Sequence, residues 1–300
     1  MSRHSVIDVG SNTIHLLVGE VEGGQVIPVA GEKISARLGD GVARTGRIKP
    51  ERLSLAAEVI GLFARMAAMN GASESLILAT SAVRDAENGY ELGERVRELT
   101  GLKMHLISGE EEAELGFRGA VSAAGNSLEG PALVVDLGGG SAQLIFGDAC
   151  RGPLMEVSLP LGSNRTTECF VGGDPAGKKE LRALEEHVRG MMPGWSLAPR
   201  VTVLAVGGSA RAILKITRER LTVERLRNLV QEITKVPSAV LAREHGLTPE
   251  RARVLPAAVT TFTAILEHFG RPEMRVVRGG LREGALLALA GDVNPEEVKS

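Results

Sequence analysis

Asp136 closes a short apolar run, three glycines and a serine follow it, and a second apolar run completes the stretch from Val134 to Phe146. Short runs rich in Val, Ile, Leu and Phe read as strands, so Gly138, Gly139, Gly140 and Ser141 form a tight connection between two of them. Glycine permits left-handed backbone and lets a ligand come close. Successive N–H groups in such a turn make a concavity suited to phosphate oxygens. A carboxylate at the strand end, Asp136, is placed to hold Mg²⁺ or a metal-bound water. No Gly-Lys-Ser/Thr follows, so this is not a Walker loop. A strand rather than a helix follows, so it is not a dinucleotide fingerprint. The plain alternative is an ordinary glycine hairpin.

A second copy of the pattern lies nearer the N-terminus. Asp8 to Gly19 aligns without a gap on Asp136 to Gly147: Asp8 with Asp136, Gly10 with Gly138, Thr13 with Ser141, Leu16 with Leu144. The turn here is Gly10-Ser11-Asn12-Thr13, and His15 falls opposite Gln143. Two Asp–turn–strand units a domain length apart point to a duplicated fold.

The elements that must position these turns follow from periodicity. Strands are expected over Ser5–Val9, Ile14–Val21 and Val26–Ser35. Pro50 suits the first turn of a helix whose Leu53, Ala56, Ala57, Ile60, Phe63 and Ala64 share one face, ending at Gly71. A buried strand over Ser75–Thr80, a helix over Tyr90–Leu99 and a strand over Met104–Ile107 come next. Ser108 caps a helix running from about Glu110 to Ala124, with Glu111 at the capping-box position. The order β-β-β-α-β-α-β-α is that of a ribonuclease-H-like domain. Gly125 to Pro131 reads as a linker. The second half repeats strand–turn–strand, adds Met155–Leu159, Val201–Ala205 and Arg275–Val277 as strands, and carries helices around Lys178–Met191, Val223–Thr234 and Pro249–Phe269.

A chain of 300 residues with 43% apolar residues supports two domains with buried cores. Aromatics make up 3%, so aliphatic packing dominates and a base-stacking surface is not expected. The net charge of −2 argues against broad nucleic-acid binding. Cys150 and Cys169 fit no zinc spacing and read as free thiols. No apolar run approaches the roughly 20 residues of a membrane span. A strand begins within a few residues of Met1, which leaves no room for a secretion signal, so the cytoplasm is the expected compartment.

Six motifs in order carry a family resemblance: Asp8-Val-Gly-Ser-Asn-Thr, Ala79-Thr-Ser-Ala-Val-Arg-Asp-Ala, Ser108-Gly-Glu-Glu-Glu-Ala, Asp136-Leu-Gly-Gly-Gly-Ser, Leu161-Gly-Ser-Asn-Arg and Gly279-Gly-Leu-Arg-Glu-Gly. The chain resembles the exopolyphosphatase / guanosine-pentaphosphate phosphohydrolase (Ppx/GppA) family, in its short two-domain form. The resemblance implies an α/β fold of two ribonuclease-H-like domains of the actin-like ATPase superfamily around a central cleft. The domains are expected at residues 1–125 and 126–300, with the last helix a candidate to pack back on the first. It implies Mg²⁺-dependent release of the terminal phosphate of inorganic polyphosphate or of pppGpp, and a homodimer as family members commonly form.

The resemblance also assigns roles. Glu112 is the water-activating residue, with Glu111 as fallback, while Glu110 reads as a helix-dipole acid. Asp136 and Asp8 position Mg²⁺. Arg84, after a buried strand, forks onto phosphate, the plain alternative being a surface pair with Asp85. Ser11, Asn12, Thr13 and Gly138 to Ser141 hold phosphates, with Arg165 a weaker candidate. Gly207, Gly208 and Ser209 either approach a ligand or turn the chain. Arg218, Arg220, Arg225 and Arg227 read as a solvated basic face, or more sharply as a landing strip for a polyanion. One departure stands out: the family has glutamate where this chain has Gln143, an uncharged amide that cannot act as a base. Exopolyphosphatase is the expected activity. The alternatives are a pppGpp 5'-phosphohydrolase and, because of Gln143, a weakly active polyphosphate- or nucleotide-binding sensor.

Overall fold

The computed structural model describes residues 2–125, 128 and 130–291. The chain divides into two compact units, one of residues up to Gly125 together with those from Gly279, the other reaching to Arg278. Most of the expected linker, residues 126, 127 and 129, lies outside the described residues.

The first unit runs β1 (Arg3–Val9), β2 (Ile14–Glu22), β3 (Gln25–Ile34), α1 (Val42–Thr45), α2 (Pro50–Met69), β4 (Ala72–Ala79), α3 (Ser81–Arg84), α4 (Gly89–Thr100), β5 (Met104–Leu106) and α5 (Gly109–Ala124). The second follows with β6 (Pro131–Leu137), β7 (Ala142–Asp148), β8 (Gly152–Leu159), α6 (Ser163–Phe170), α7 (Lys178–Met191), β9 (Thr202–Val206), α8 (Gly208–Thr217), β10 (Leu221–Thr222), α9 (Val223–Ile233), α10 (Ser238–His245), α11 (Pro249–His268) and β11 (Glu273–Val276). The last helix, α12 (Leu281–Leu289), returns to the first unit.

The first sheet has strand order β3-β2-β1-β4-β5, with β1–β2 and β2–β3 antiparallel and β1–β4 and β4–β5 parallel. That is the ribonuclease-H-like arrangement the element order predicts. The second sheet, β10-β11-β9-β6-β7-β8, repeats it and adds the short antiparallel edge strand β10. Parallel strands need cover on both faces, and the central strands are correspondingly apolar. Val6 and Ile7 of β1, and Leu133 to Val135 of β6, are buried. The edge strand β3 is largely exposed.

Helix α2 places Pro50 at its start, where the missing N–H is no loss, and buries Leu53, Ala56, Ala57, Ile60 and Phe63. In the second unit α11 is buried from Val254 to Leu266. Pro256 within it cannot continue the N–H ladder. Its own carbonyl accepts a bond from Thr260 Oγ1 at 2.9 Å.

The loop between α6 and α7 is organised by one carboxylate. Glu180 Oε1 accepts the N–H groups of Gly172 and Gly173 at 2.9 and 3.1 Å, and Oε2 accepts that of Gly177 at 2.6 Å. The Gly177 bond, joined by those of Gly173 and Gly172 and by the Arg253 charge, outweighs partial desolvation and lowers the Glu180 pKa below its ordinary value. A carboxyl whose folded pKa is depressed adds stability above the unfolded value and loses it as pH falls through the folded one. Glu180→Gln is therefore expected to cost about 1 kcal/mol at neutral pH, discounted for solvent exposure. The gap from wild type should narrow below the ordinary carboxylate pKa, as read by urea denaturation across pH. A gap independent of pH would refute this account.

Candidate active site

In the first unit the turn after Asp8 is closed by Gly10 N donating to Thr13 O at 3.2 Å. Its outer carbonyls are held from a neighbouring loop: Arg37 N donates to Asn12 O at 2.9 Å and Gly39 N to Ser11 O at 2.8 Å. Ser11 Oγ lies 3.1 Å from Ser81 Oγ, which ties the turn to the start of α3. With these partners fixed, the N–H groups of Ser11, Asn12 and Thr13 make no hydrogen bond among the described residues.

Arg84 ends α3, just after β4. Its Nη1 donates to Ile107 O at 2.7 Å and lies 3.8 Å from Glu112 Oε2, while Nε is 3.8 Å from Asp85. Nη1 is thus anchored on a backbone carbonyl beside Glu112, and Nε faces Asp85. The Glu112 side chain is 19% exposed and sits in the first turn of α5. Glu111 is used differently. Its Oε2 accepts Ser108 N at 2.8 Å, and its own N–H donates to Ser108 Oγ at 3.0 Å. That is the reciprocal cap the sequence predicts. The capping frame turns Glu111 back on the helix end and leaves Glu112 beside Arg84. Asp8 pairs across the strands with His15 and, on its other side, with Leu78.

The second unit repeats this geometry. Gly138 N donates to Ser141 O at 3.0 Å, and Ser163 N, Asn164 N and Arg165 N donate to Gly138 or Gly139 carbonyls at 2.9–3.1 Å. Arg165 Nε donates to Gly140 O at 3.0 Å, so this arginine braces the turn. The N–H groups of Gly139, Gly140 and Ser141 are unused among the described residues. A Cβ on Gly162 would stand 2.4 Å from the Gly139 carbonyl, so glycine is obligatory there. Asp136 pairs across the strands with Gln143 and, on its other side, with Val206. These partners keep the constant spacing that separates Asp8 from Asp136, so the duplication read in sequence extends to register.

Gly207 and Gly208 turn β9 into α8. Gly207 has φ +102°, and a Cβ there would approach Asp136 Oδ1 to 3.2 Å and Leu137 O to 2.9 Å. A Cβ on Gly208 would meet Arg251 Nη2 at 2.5 Å. Gly207 therefore lets backbone approach Asp136, and Gly208 lets Arg251 reach the start of α8. Arg251 was not evident from the sequence, where it reads as one more charge at a helix start. Its Nη1 donates to Ser209 Oγ at 2.8 Å, and Ser209 Oγ lies 3.4 Å from Ser163 Oγ. Arg251 makes no ion pair among the described residues. Burial, and then the neighbouring Arg211, lower its pKa from the ordinary arginine value. A desolvated guanidinium without a carboxylate is a receptor for an anion.

Other candidates fall elsewhere. Arg218 caps α8 and Arg220 lies in the loop beyond it, while Arg225 and Arg227 are on α9. Arg220 pairs with Glu273, Arg225 with Glu219 and Glu232, and Arg227 with Glu185 and Glu267. Acids offset this cluster, which makes it a solvated ionic face. A concavity of about 550 Å³ lined by Lys178, Arg182, Val230 and Thr260, among others, contains none of the turn residues. Cys150 and Cys169 are exposed free thiols. No helix among the described residues is long and apolar enough to cross a membrane.

Comparison with known proteins agrees with this fold. Residues 17–292 match the model of the Ppx/GppA phosphatase family. Exopolyphosphatase 1 of Mycobacterium tuberculosis is 30% identical over 95% of this chain and 87% of its own. The crystal structure of the Aquifex aeolicus member of the Ppx/GppA family superposes with a TM-score of 0.84 at 25% identity, covering 98% of this chain and 99% of that one. An exopolyphosphatase from Cytophaga hutchinsonii, 22% identical, shares the fold with a TM-score of 0.83 over 98% of this chain and 99% of its own. The chain is a two-domain α/β hydrolase of the actin-like ATPase fold and belongs to the Ppx/GppA phosphatase family.

Proposed function

We propose that the chain hydrolyses the terminal phosphoanhydride of inorganic polyphosphate and releases phosphate. The observation that carries this reading is the Glu112 carboxylate set 3.8 Å from Arg84 at the start of a capped helix, in a chain of this family. The exopolyphosphatase name of a relative 30% identical to it supports polyphosphate as substrate.

Phosphoryl transfer asks for charge neutralisation, positioning and an oriented water. In the first unit Glu112 accepts a proton from water as the water oxygen bonds to the terminal phosphorus. The bridging P–O bond breaks and its electron pair leaves on the shortened chain. Arg84 orients the phosphoryl oxygens with donors not committed to Ile107. Each turn offers three N–H groups to a phosphate. In the second unit Arg251 adds a cation beside Gly208 and Ser209.

The residues fit Mg²⁺ in one particular way. No group of three or more His, Cys, Asp or Glu that could hold a metal exists among the described residues. Asp136, with the Gln143 amide across from it, suits an ion carried by substrate phosphates and water and touched by one carboxylate, the usual habit of Mg²⁺. Asp8 is the corresponding carboxylate of the first unit. Bound there, Mg²⁺ would supply charge neutralisation.

The test is phosphate release from long-chain polyphosphate, pppGpp and ATP with Mg²⁺. The highest kcat/KM is expected with polyphosphate. Preference for pppGpp would overturn the substrate assignment. Tight binding without release from any of them would favour the sensor that Gln143 suggests.

A further inference from the structure

Arg37 stands in a conformation that its residue type disfavours. Its φ is +50°, in the left-handed region where L side chains are strained and glycine is not. The flanking residues explain how it is held. Ala36 and Leu38 are both fully buried, so the loop is pinned on either side. Arg37 N donates to Asn12 O at 2.9 Å, and Ser35 Oγ donates to the same carbonyl at 3.3 Å. The left-handed step between two buried neighbours turns the Arg37 side chain outward, at the rim of the Gly10–Thr13 turn. The residue is exposed, and its guanidinium makes no hydrogen bond or ion pair among the described residues. Asp40, the acid of the same loop, is already bonded to Lys49 Nζ at 2.8 Å. Strained non-glycine positions persist where the surrounding structure enforces them, and they concentrate at ligand clamps.

We infer that Arg37 is a substrate-binding residue that grips the phosphate next to the one seated on the Gly10–Thr13 turn. Its ligand is an inorganic oligo- or polyphosphate, and the inference rests on the hydrolase reading above. A cation contacting a phosphate remote from the broken bond binds ground state and transition state alike, so its loss raises KM and leaves kcat in place.

Glycine at this position separates binding from folding. Arg37→Gly removes the guanidinium and relieves the backbone together. It is expected to raise KM for long-chain polyphosphate about tenfold, in keeping with one charge-assisted contact, while kcat stays within about twofold. The thermal midpoint should be unchanged or higher. Arg37→Lys should fall between Arg37→Gly and wild type, and Arg44→Ala, an exposed cation on α1, should leave KM alone. An unchanged KM, a lower midpoint, or an equal effect from Arg44→Ala would overturn the inference. Calorimetric titration with inorganic tripolyphosphate in a Glu112→Gln background reads the contact without turnover. Should wild type release no phosphate while Arg37→Gly still weakens tripolyphosphate binding, the hydrolase reading falls and the contact stands. Absence of binding with Arg37 intact would remove both.

Discussion

Replacing Glu112 with glutamine is expected to lower kcat for phosphate release by about 10²–10⁴-fold, the usual contribution of a general base. An amide still accepts a hydrogen bond but cannot take a proton at neutral pH. Substrate binding should survive, because the turns and the arginines are untouched. Stability should change by less than about 1 kcal/mol, since the Arg84 pair is long and partly exposed. Glu111→Gln is the informative comparison. It keeps the cap on Ser108, whose N–H the amide oxygen still accepts, and should cost less than about 0.5 kcal/mol of stability with kcat near wild type. Steady-state kinetics beside thermal melts would separate the two neighbours. A loss of kcat in Glu111→Gln equal to that in Glu112→Gln would show that the base has been placed one residue off.

Alanine at Gly284 or Gly119 is expected to destabilise the first unit by about 3 kcal/mol or more, at the upper end for overpacking. Helices α5 and α12 meet at backbone contact. A Cβ on Gly284 would fall 1.9 Å from Leu115 O, and one on Gly119 would fall 2.0 Å from Gly280 O. Neither carbonyl can yield without parting the helices. The loss would show in urea unfolding of the full chain. Because α5 carries Glu112, activity should fall with it. Gly190, on α7 with nothing within 4 Å of its would-be Cβ, is the control. Alanine there should be neutral or stabilising by up to about 1 kcal/mol. Equal effects at all three sites would mean that the crossing does not set the loss.

Much of this architecture is legible in the sequence because it rests on periodicity and turn chemistry. Alternating and continuous apolar runs give β1, β2, β6 and β7, and Pro50 and Ser108 mark the starts of α2 and α5. The gapless match of Asp8–Gly19 to Asp136–Gly147 foretells a strand register that proves common to both units. Helices α6 and α8 are harder to see. They begin in Gly-Ser-Asn and Gly-Gly-Ser, residues that favour turns, and become helical through packing, α6 on α11 and α7, and α8 on α11 and the sheet. The Gly279-to-Gly284 motif is recognisable as a family signature, yet sequence alone does not show that its glycines serve a helix crossing. Arg251 and Arg37 escape notice for a shared reason: nothing local distinguishes a buried or strained arginine from a solvated one. Burial, a missing acidic partner and a positive φ are properties of the folded chain.

The return of α12 to the first unit bears on how the protein is made. Ala285 and Leu286 complete an apolar cluster with Val6, Leu17, Leu78, Ile107 and Leu115. The ribosome delivers the strands of that cluster early and α12 only after the whole second unit. At typical elongation rates the nascent sheet waits on the order of ten seconds with that face uncovered. The second unit, contiguous in the chain, is free to fold first. The first unit is begun first and finished last, which makes that interval the time when a nascent-chain chaperone has most to protect.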